Sequence, residues 1–199
     1  MITEPYQLVA EIKKYALDNK VPIMQDEGID YLINYIKDNK IETILEVGTA
    51  IGYSSIMMAL SNPKIKITTI ERNHDSYLEA VKNIKRMKLE NQITLIFKDA
   101  LDVELEDKFD LIFLDAAKAQ NIKFFEKFEY NLNPKGTIIT DNIYFHGLVE
   151  QDESSIESRN VRGIVRKLKN YIEFLENNKR YNTEILKIGD GISISKKKD

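Results

Sequence analysis

Acidic side chains mark the ends of the predicted strands of this sequence. Five apolar runs have the character of strands buried in a parallel sheet, and each carries a carboxylate at or near its end. The carboxyl ends of parallel strands lie at one edge of a sheet, which is where α/β proteins bind ligands. The sequence therefore predicts a functional site at this edge. The acids are Glu46, Glu71, Asp99, Asp115 and Asp141.

Two of these acids, with a neighbouring amide, have the composition of a metal site. Asp115, Asp141 and Asn142 offer two carboxylates and one amide oxygen. An all-oxygen set selects a hard cation, Mg²⁺ first and then Mn²⁺ or Ca²⁺. Lys118 follows Asp115 by three residues, and a nearby cation would disfavour its ammonium form and favour a role as base. The alternatives are a turn capped by Asp141 and Asn142, and an ordinary ion pair for Lys118.

Residues 41–54 read as a strand, a glycine turn and the start of a helix. The dinucleotide fingerprint needs glycine at positions 48, 50 and 53, but Ala50 and Tyr53 occupy the last two. An acid, the pair Gly48 and Gly52 and a hydroxyl at the helix start suit a ligand with an amine, a carboxylate and no phosphate. S-adenosylmethionine is such a ligand. The alternative is a tight turn that binds nothing.

The next two acids are spaced as nucleoside contacts. Glu71 lies 23 residues after Gly48, close to the spacing at which an acid receives ribose hydroxyls. Asp99 ends the following strand and can accept the adenine amino group. Met24, in the loop between two predicted helices, either covers the cofactor or packs in the core.

The periodicity of the chain predicts one doubly wound α/β domain over residues 1–199. Residues 1–40 form helices that cover the site, and Gly189-Asp190-Gly191 is typical of a hairpin turn between two antiparallel edge strands. We find no repeat and no linker. The predicted strands are residues 44–47, 65–71, 93–97, 109–115, 136–142, 181–187 and 192–195.

Composition narrows the location and the partners. The sequence has no cysteine, which excludes disulfides and thiolate metal sites, and no apolar run approaches the roughly 20 residues of a membrane span. We therefore expect a cytoplasmic protein without membrane contact. The net charge is −3, yet residues 156–199 carry 11 basic and 6 acidic side chains, a net of +5. This basic segment permits a polyanionic partner, although solvated lysines would look the same.

Four motifs together resemble the metal-dependent O-methyltransferases of the catechol and caffeoyl-CoA type. They appear in the family's order, and the resemblance covers roughly residues 20–195. It implies a Rossmann-like, seven-stranded S-adenosylmethionine methyltransferase fold, a mostly parallel sheet with an antiparallel edge hairpin, and a homodimer. The motifs are Glu46–Ser54, Ile70-Glu71-Arg72, Leu114–Lys118 and Thr140-Asp141-Asn142.

The resemblance also implies roles for individual residues. The catalytic roles fall to Lys118 as base and to Asp115, which would bind metal and lie near the cofactor. The remaining metal ligands would be Asp141 and Asn142. The cofactor would be held by Gly48 and Ser54 at its methionine end, Glu71 at the ribose, Asp99 and Ala100 at the adenine, and Met24 above it.

Two further segments, 139–149 and 189–198, resemble the bacterial branch that methylates 5-hydroxyuridine at the tRNA wobble position to give 5-methoxyuridine. That base offers a hydroxyl beside a carbonyl, a chelating pair like that of a catechol. Basic residues in Arg159–Lys169 and Lys196–Lys198 would contact phosphates, although Asn160 and Gly163 interrupt the first run. The alternatives are a small catechol-like or hydroxycinnamoyl substrate, and a nucleic-acid-binding module without catalysis.

Overall fold

The structure, a computed structural model, describes residues 4–198 and contains one seven-stranded sheet with helices on both faces. The helices are α1 (Glu4–Asp18), α2 (Asp26–Asp38), α3 (Tyr53–Ser61), α4 (His74–Arg86), α5 (Asn121–Phe128) and α6 (Arg159–Asn177). The strands are β1 (Thr43–Val47), β2 (Lys66–Glu71), β3 (Ile93–Phe97), β4 (Phe109–Leu114), β5 (Leu132–Thr140), β6 (Tyr181–Leu186) and β7 (Ile192–Lys197).

The strand order is β3-β2-β1-β4-β5-β7-β6. The first five strands in this order are parallel, whereas β7 runs antiparallel to β5 and β6 antiparallel to β7. This confirms the predicted fold class, including the antiparallel edge hairpin. The chain reverses its direction of progress through the sheet between β1 and β4, and such a reversal opens a crevice at the carboxyl ends of the strands.

The sheet is central because its strands are apolar on both faces. Alternate residues of β4 pack into different cores: Leu111 and Phe113 against the side of α1, α2 and α3, and Ile112 and Leu114 against the side of α5 and α6. Period-two side-chain alternation divides a continuous apolar run in this way. The result is a three-layer architecture in which the strand ends, rather than the strand faces, remain available for a site.

Asp115 and Asp141 directly follow the last residues of β4 and β5, and backbone hydrogen bonds join each of them to the neighbouring strand. The Asp115 amide donates to the Val47 carbonyl at 2.9 Å, and the Asp141 amide donates to the Leu114 carbonyl at 3.2 Å. Asp115 and Asp141 therefore follow adjacent parallel strands in register. Since β7 runs the other way, the turn before it lies at this same edge, whereas Lys196, paired with Thr137, lies toward the opposite edge.

No helix within residues 4–198 has the length and apolar character that crossing a lipid bilayer requires.

Candidate active site

A cavity of about 260 Å³ opens at the carboxyl edge of the sheet. The loops after β1, β2, β3 and β4 form its walls, and the loop between α1 and α2 covers it. The structure brings together most of the predicted site residues here. Those that line the cavity are Met24, Gly48, Glu71, Asp99, Ala100, Asp115, Lys118 and Asn142.

The glycine turn after β1 is pressed against the strand end of β4. Gly48 has a φ of +102°, and a Cβ at this position would overlap the Asp115 carbonyl oxygen. The amides of Gly48 and Thr49 donate to the Ile70 carbonyl at 3.0 and 3.2 Å. Only glycine combines this backbone conformation with so close an approach. The turn thus joins the strand ends on either side of β1.

Glu46 lies near the end of β1, just before this turn, and binds the Ser54 hydroxyl, which the sequence-based prediction assigns to the cofactor. The Glu46 carboxylate is fully buried and accepts hydrogen bonds from the hydroxyls of Ser54 at 2.5 Å, Thr69 at 2.6 Å and Ser55. Burial raises the pKa of Glu46. Ser54 is not among the residues that line the cavity, and its hydroxyl is directed to Glu46. A contact of Ser54 with the cofactor stays a prediction.

Glu71 is held by the backbone around it. One carboxylate oxygen accepts the Ala50 amide at 2.8 Å, and the other accepts the amides of Arg72 at 2.9 Å and Asn73 at 2.7 Å. A carboxylate offers about four acceptor positions. A ribose diol at Glu71 would therefore share the carboxylate with three amides, which fix its orientation.

Asp99 is likewise engaged at the far end of the cavity. It accepts the Leu101 amide at 3.0 Å and the Arg72 guanidinium at 3.0 Å. These two interactions lower the pKa of Asp99 and keep it ionised. An adenine amino group would meet a carboxylate whose position is already fixed by Arg72. Ala100 is buried beside it.

Met24 lies both at the cavity and in the core, the two positions that the sequence allows for it. It lines the cavity, and it also belongs to the hydrophobic core on the α1–α3 side. Its side chain lies over the first turn of α2, where a Cβ on Gly28 would come within 2.9 Å of the Met24 methyl carbon. The absence of a side chain at Gly28 leaves room for this thioether at the cavity wall.

Asp115 and Asp141 form a pair of acids in an unfavourable environment. Burial raises the pKa of Asp115 well above its ordinary value, and the neighbouring charge of Asp141 raises it further. Burial also raises the pKa of Asp141 to about 6, with Asp190 adding to the effect. The positive charge of Lys118 opposes both shifts. Two buried carboxylates that disfavour each other's ionised form are stabilised by a bound cation.

Asn142 completes a donor set that fits a hard divalent ion. Its backbone has a φ of +66°, and its side-chain oxygen is shielded from solvent without a hydrogen-bond partner. Within residues 4–198 no group of three or more His, Cys, Asp or Glu side chains forms a metal cluster. The predicted set contains only two carboxylates, with the amide oxygen as third ligand. Coordination to Mg²⁺ would give the Asn142 oxygen a partner and would offset the unfavourable burial of the two carboxylate charges.

The sequence profile of the O-methyltransferase family matches residues 3–198. The chain belongs to this family. An Arabidopsis thaliana protein provisionally named caffeoyl-CoA O-methyltransferase is 28% identical over 194 residues, which cover 94% of this chain and 83% of that protein. A Niastella koreensis catechol O-methyltransferase is 36% identical over 124 residues, covering 58% of this chain and 55% of that protein.

Solved structures of other O-methyltransferases agree with this assignment. A Staphylococcus aureus protein provisionally named caffeoyl-CoA O-methyltransferase has a TM-score of 0.91 and 40% identity, with coverage of 96% of this chain and 92% of that one. A Bacillus cereus O-methyltransferase in complex with S-adenosylhomocysteine shares the fold, with a TM-score of 0.83, 24% identity and coverage of 96% and 91%. The prediction of an S-adenosylmethionine-dependent O-methyltransferase is confirmed at the level of the family.

Two residues of this O-methyltransferase site have no role in the sequence-based prediction. Arg72 lines the cavity and binds Asp99, and its position directly after Glu71 at a strand end is a signal that could identify it. Gln120 lines the cavity and has a buried side-chain oxygen without a partner. It follows Lys118 in a single turn of 3₁₀ helix, and nothing in its sequence context distinguishes it.

Proposed function

We propose that this O-methyltransferase uses Mg²⁺ and S-adenosylmethionine to methylate the 5-hydroxyl of 5-hydroxyuridine at the tRNA wobble position, forming 5-methoxyuridine. One observation carries the metal-dependent part: Asp115 and Asp141 follow adjacent strands beside the unpartnered oxygen of Asn142. The cavity that contains the glycine turn lies against this set. A methyl donor and a chelating substrate could therefore meet there.

The chain's own residues account for the main requirements of methyl transfer. A divalent ion held by Asp115, Asp141 and Asn142 would lower the pKa of the substrate hydroxyl and orient it. Lys118 lies at the cavity wall near both carboxylates, where its Nζ would accept the hydroxyl proton. The glycine turn and Met24 would hold the donor. Exclusion of water around the bound donor and substrate would favour a transition state in which sulfonium and oxyanion charges disappear.

The start of α6 supports an RNA substrate. This helix packs against the 3₁₀ turn that begins at Lys118, and that turn lines the cavity, so the basic residues of α6 lie on an element next to the cavity. Arg162 donates to the carbonyls of Ile156 at 2.5 Å and Glu157 at 3.1 Å, which fixes it at the helix start. Three exposed cations remain for phosphates along α6: Arg159, Arg166 and Lys167.

The second predicted basic segment lies elsewhere. Lys196 pairs with Thr137 and Lys197 with Tyr181, toward the edge of the sheet opposite Asp115 and Asp141. Lys198 continues in this direction, with its amide bound to the Arg180 carbonyl. Of the two segments, Arg159–Lys169 is therefore better placed to contact RNA around a bound wobble base.

A small catechol-like or hydroxycinnamoyl substrate is the second candidate. It is favoured by the relatives named for caffeoyl-CoA and catechol. A catechol presents two neighbouring oxygens to a metal, as 5-hydroxyuridine does. A nucleic-acid-binding module without catalysis would leave the acid pair and the Asn142 oxygen without purpose. The homodimer and the cytoplasmic location remain predictions.

Labelled S-adenosylmethionine distinguishes these candidates. We expect the protein with Mg²⁺ to transfer label to hypomodified tRNA, and nucleoside digestion to place it in 5-methoxyuridine. A catechol serves as the parallel substrate. Label in the catechol alone would overturn the tRNA proposal, and equal turnover with and without EDTA would overturn the metal assignment.

Paired substitutions test the placement of the RNA. We expect Arg159→Ala with Arg166→Ala to lower kcat/KM on tRNA by about tenfold and to reduce the salt dependence of binding by about two charges. The matched control is Lys197→Ala with Lys198→Ala, which should change both little. Neither pair should alter any turnover of catechol. A larger loss in the control pair would place the RNA on the opposite edge.

A further inference from the structure

We propose that Asp190 is a positioning residue of this site. Its carboxylate, with the turn that carries it, holds residues 142–147 in a strained conformation. This fixes the direction of the Asn142 side chain relative to that of Asp141. The effect on metal binding rests on the proposed function, whereas the effect on the backbone does not. Asp190 is 48 residues or more from the residues of the proposed metal site and comes near them only through the fold.

The segment after β5 contains a concentration of unusual backbone angles. Asn142, Phe145 and His146 have φ values of +66°, +48° and +57°, and Gly147 has +75°. A positive φ is uncommon outside glycine, above all for a bulky side chain such as Phe145. Such conformations persist only where their surroundings enforce them, and they cluster at functional sites.

The enforcing contacts come from the turn between β6 and β7. The Ile143 amide donates to the Gly191 carbonyl at 3.1 Å, and the Tyr144 amide donates to the Asp190 carbonyl at 2.9 Å. The His146 amide donates to the Asp190 carboxylate at 2.5 Å. Three hydrogen bonds within four residues tie the strained segment to the turn, and the last of them uses the Asp190 side chain.

Packing brings the turn this close. Gly191 has a φ of +88°, and a Cβ there would overlap the Tyr144 ring. On its other side the Gly189 amide donates to the Glu27 carboxylate at 3.4 Å, and a Cβ on Gly189 would come within 3.6 Å of the Gln25 side-chain oxygen. The turn thus connects the segment that covers the cavity with the segment that carries Asn142.

The burial of Asp190 favours a role for its carboxylate. Its side chain is 6% exposed, and its second oxygen has no hydrogen-bond partner, with the His146 imidazole nitrogen 3.5 Å away. A buried carboxylate with an unsatisfied oxygen is unfavourable for the fold. The first oxygen accepts the hydrogen bond of the His146 amide. Asparagine has the same shape and no charge, and its side-chain oxygen could accept this hydrogen bond equally.

Three variants test this role in the full-length protein. Asp190→Ala removes the acceptor, Asp190→Asn keeps an acceptor of the same shape, and Asp152→Ala is the control. Asp152 also accepts a backbone amide, that of Ser154 at 3.0 Å, but at the exposed start of a 3₁₀ turn. Amide hydrogen exchange without metal and calorimetric titration with Mn²⁺ provide two separate measurements.

We expect Asp190→Ala to accelerate exchange at the Tyr144 and His146 amides and to weaken Mn²⁺ binding by about tenfold, as loss of a supporting residue does at other metal sites. Asp190→Asn should retain protection and affinity close to wild type, as should Asp152→Ala. Unchanged exchange in Asp190→Ala would overturn the inference. A wild-type protein that binds no Mn²⁺ would instead contradict the proposed function, and the exchange measurement would still decide the role of Asp190.

A glycine at position 146 supplies an independent test. Because glycine adopts a positive φ without strain, His146→Gly should reduce the need for Asp190. In the Asp190→Ala background it should restore protection of the Ile143 and Tyr144 amides toward the wild-type level, because their acceptors are backbone carbonyls that the substitution leaves in place. It should also raise the thermal midpoint of that background. A double variant that exchanges as fast as Asp190→Ala, or is less stable, would show that Asp190 does not act by enforcing this backbone.

Discussion

Gly48→Ala should abolish detectable binding of S-adenosylmethionine and lower the stability of the protein. The new Cβ would overlap the Asp115 carbonyl oxygen, and it would lie 2.7 Å from the Asp115 carbonyl carbon and 3.0 Å from Cα of Ala116. All three are backbone atoms that cannot rotate away. The φ of +102° adds strain for any residue with a side chain. Relief requires the ends of β1 and β4 to separate, which moves both the glycine turn and Asp115.

The size of this effect follows from general values for crowded cores. Overpacking costs about 1–3 kcal/mol of the free energy of unfolding, and the unfavourable φ increases the loss. Differential scanning calorimetry measures the stability, and isothermal titration measures the cofactor affinity. Wild-type affinity in Gly48→Ala would show that the glycine turn does not form the cofactor site.

Gly163→Ala is a matched control with the opposite expected sign. Gly163 lies within α6, has helical context and has no atom within 4 Å of the position of an added Cβ. Alanine in a helix is favoured over glycine by about 0.5–1 kcal/mol. We therefore expect a small gain in stability and unchanged cofactor affinity. The contrast separates the close approach at Gly48 from any general effect of adding a methyl group.

The fold could be predicted because short apolar runs that alternate with helical patterns are typical of strands in a buried parallel sheet. β1, β2, β3 and β4 lie within one or two residues of their predicted bounds. β5 begins at Leu132, four residues earlier than predicted, because Asn133, Pro134 and Lys135 interrupt the apolar pattern that identifies a strand. Leu132 nevertheless pairs with Phe109 across an irregularity in register. An irregularity of this kind at the start of a strand depends on the neighbouring strand, which the local sequence does not specify.

The site could be predicted as a set of residues but not as a set of contacts. Acids at parallel strand ends converge by topology, so Asp115 and Asp141 could be placed together from the sequence. The partner of a polar side chain depends on rotamers and on distant residues. Ser54 therefore binds Glu46, and Asp99 binds Arg72, where the sequence suggested only ligand contacts. The contact between Asp190 and His146 spans 44 residues and has no local signal.

Asp141→Asn should abolish Mg²⁺-dependent methyl transfer while stabilising the metal-free protein. Burial raises the pKa of Asp141 from 3.8 to about 6, so its ionised form is unfavourable in the folded state at neutral pH. Each pKa unit corresponds to about 1.4 kcal/mol, and the neutral amide should therefore raise the free energy of unfolding by about 2–3 kcal/mol at pH 7. The same substitution removes one of the two carboxylates that would hold the cation, and cofactor binding should remain largely intact.

The pH dependence gives this prediction its sharpest form. Above pH 6 the folded wild-type protein carries the full penalty of an ionised Asp141, since its folded pKa exceeds its unfolded pKa. As the pH falls from about 6 to about 4, the folded state binds the proton first and the wild-type protein gains stability relative to the variant. The difference between the two proteins should therefore shrink over this range and vanish below it. Denaturant titrations of both metal-free proteins between pH 4 and 8 measure it.

Magnesium should reverse the order of stability, because only the wild-type protein has both carboxylates to balance the charge of the cation. A cation that binds the folded state raises its thermal midpoint by mass action. We expect Mg²⁺ to stabilise the wild-type protein and to leave Asp141→Asn unchanged. Asp38→Asn, at the exposed end of α2, removes a similar charge and should behave as wild type in both measurements. Asp141→Asn could instead be less stable than wild type without metal, or could gain stability from Mg²⁺. Either result would show that the charge of Asp141 is not held for a cation. Buried acids at adjacent strand ends would then serve the fold alone, and the site would need another explanation.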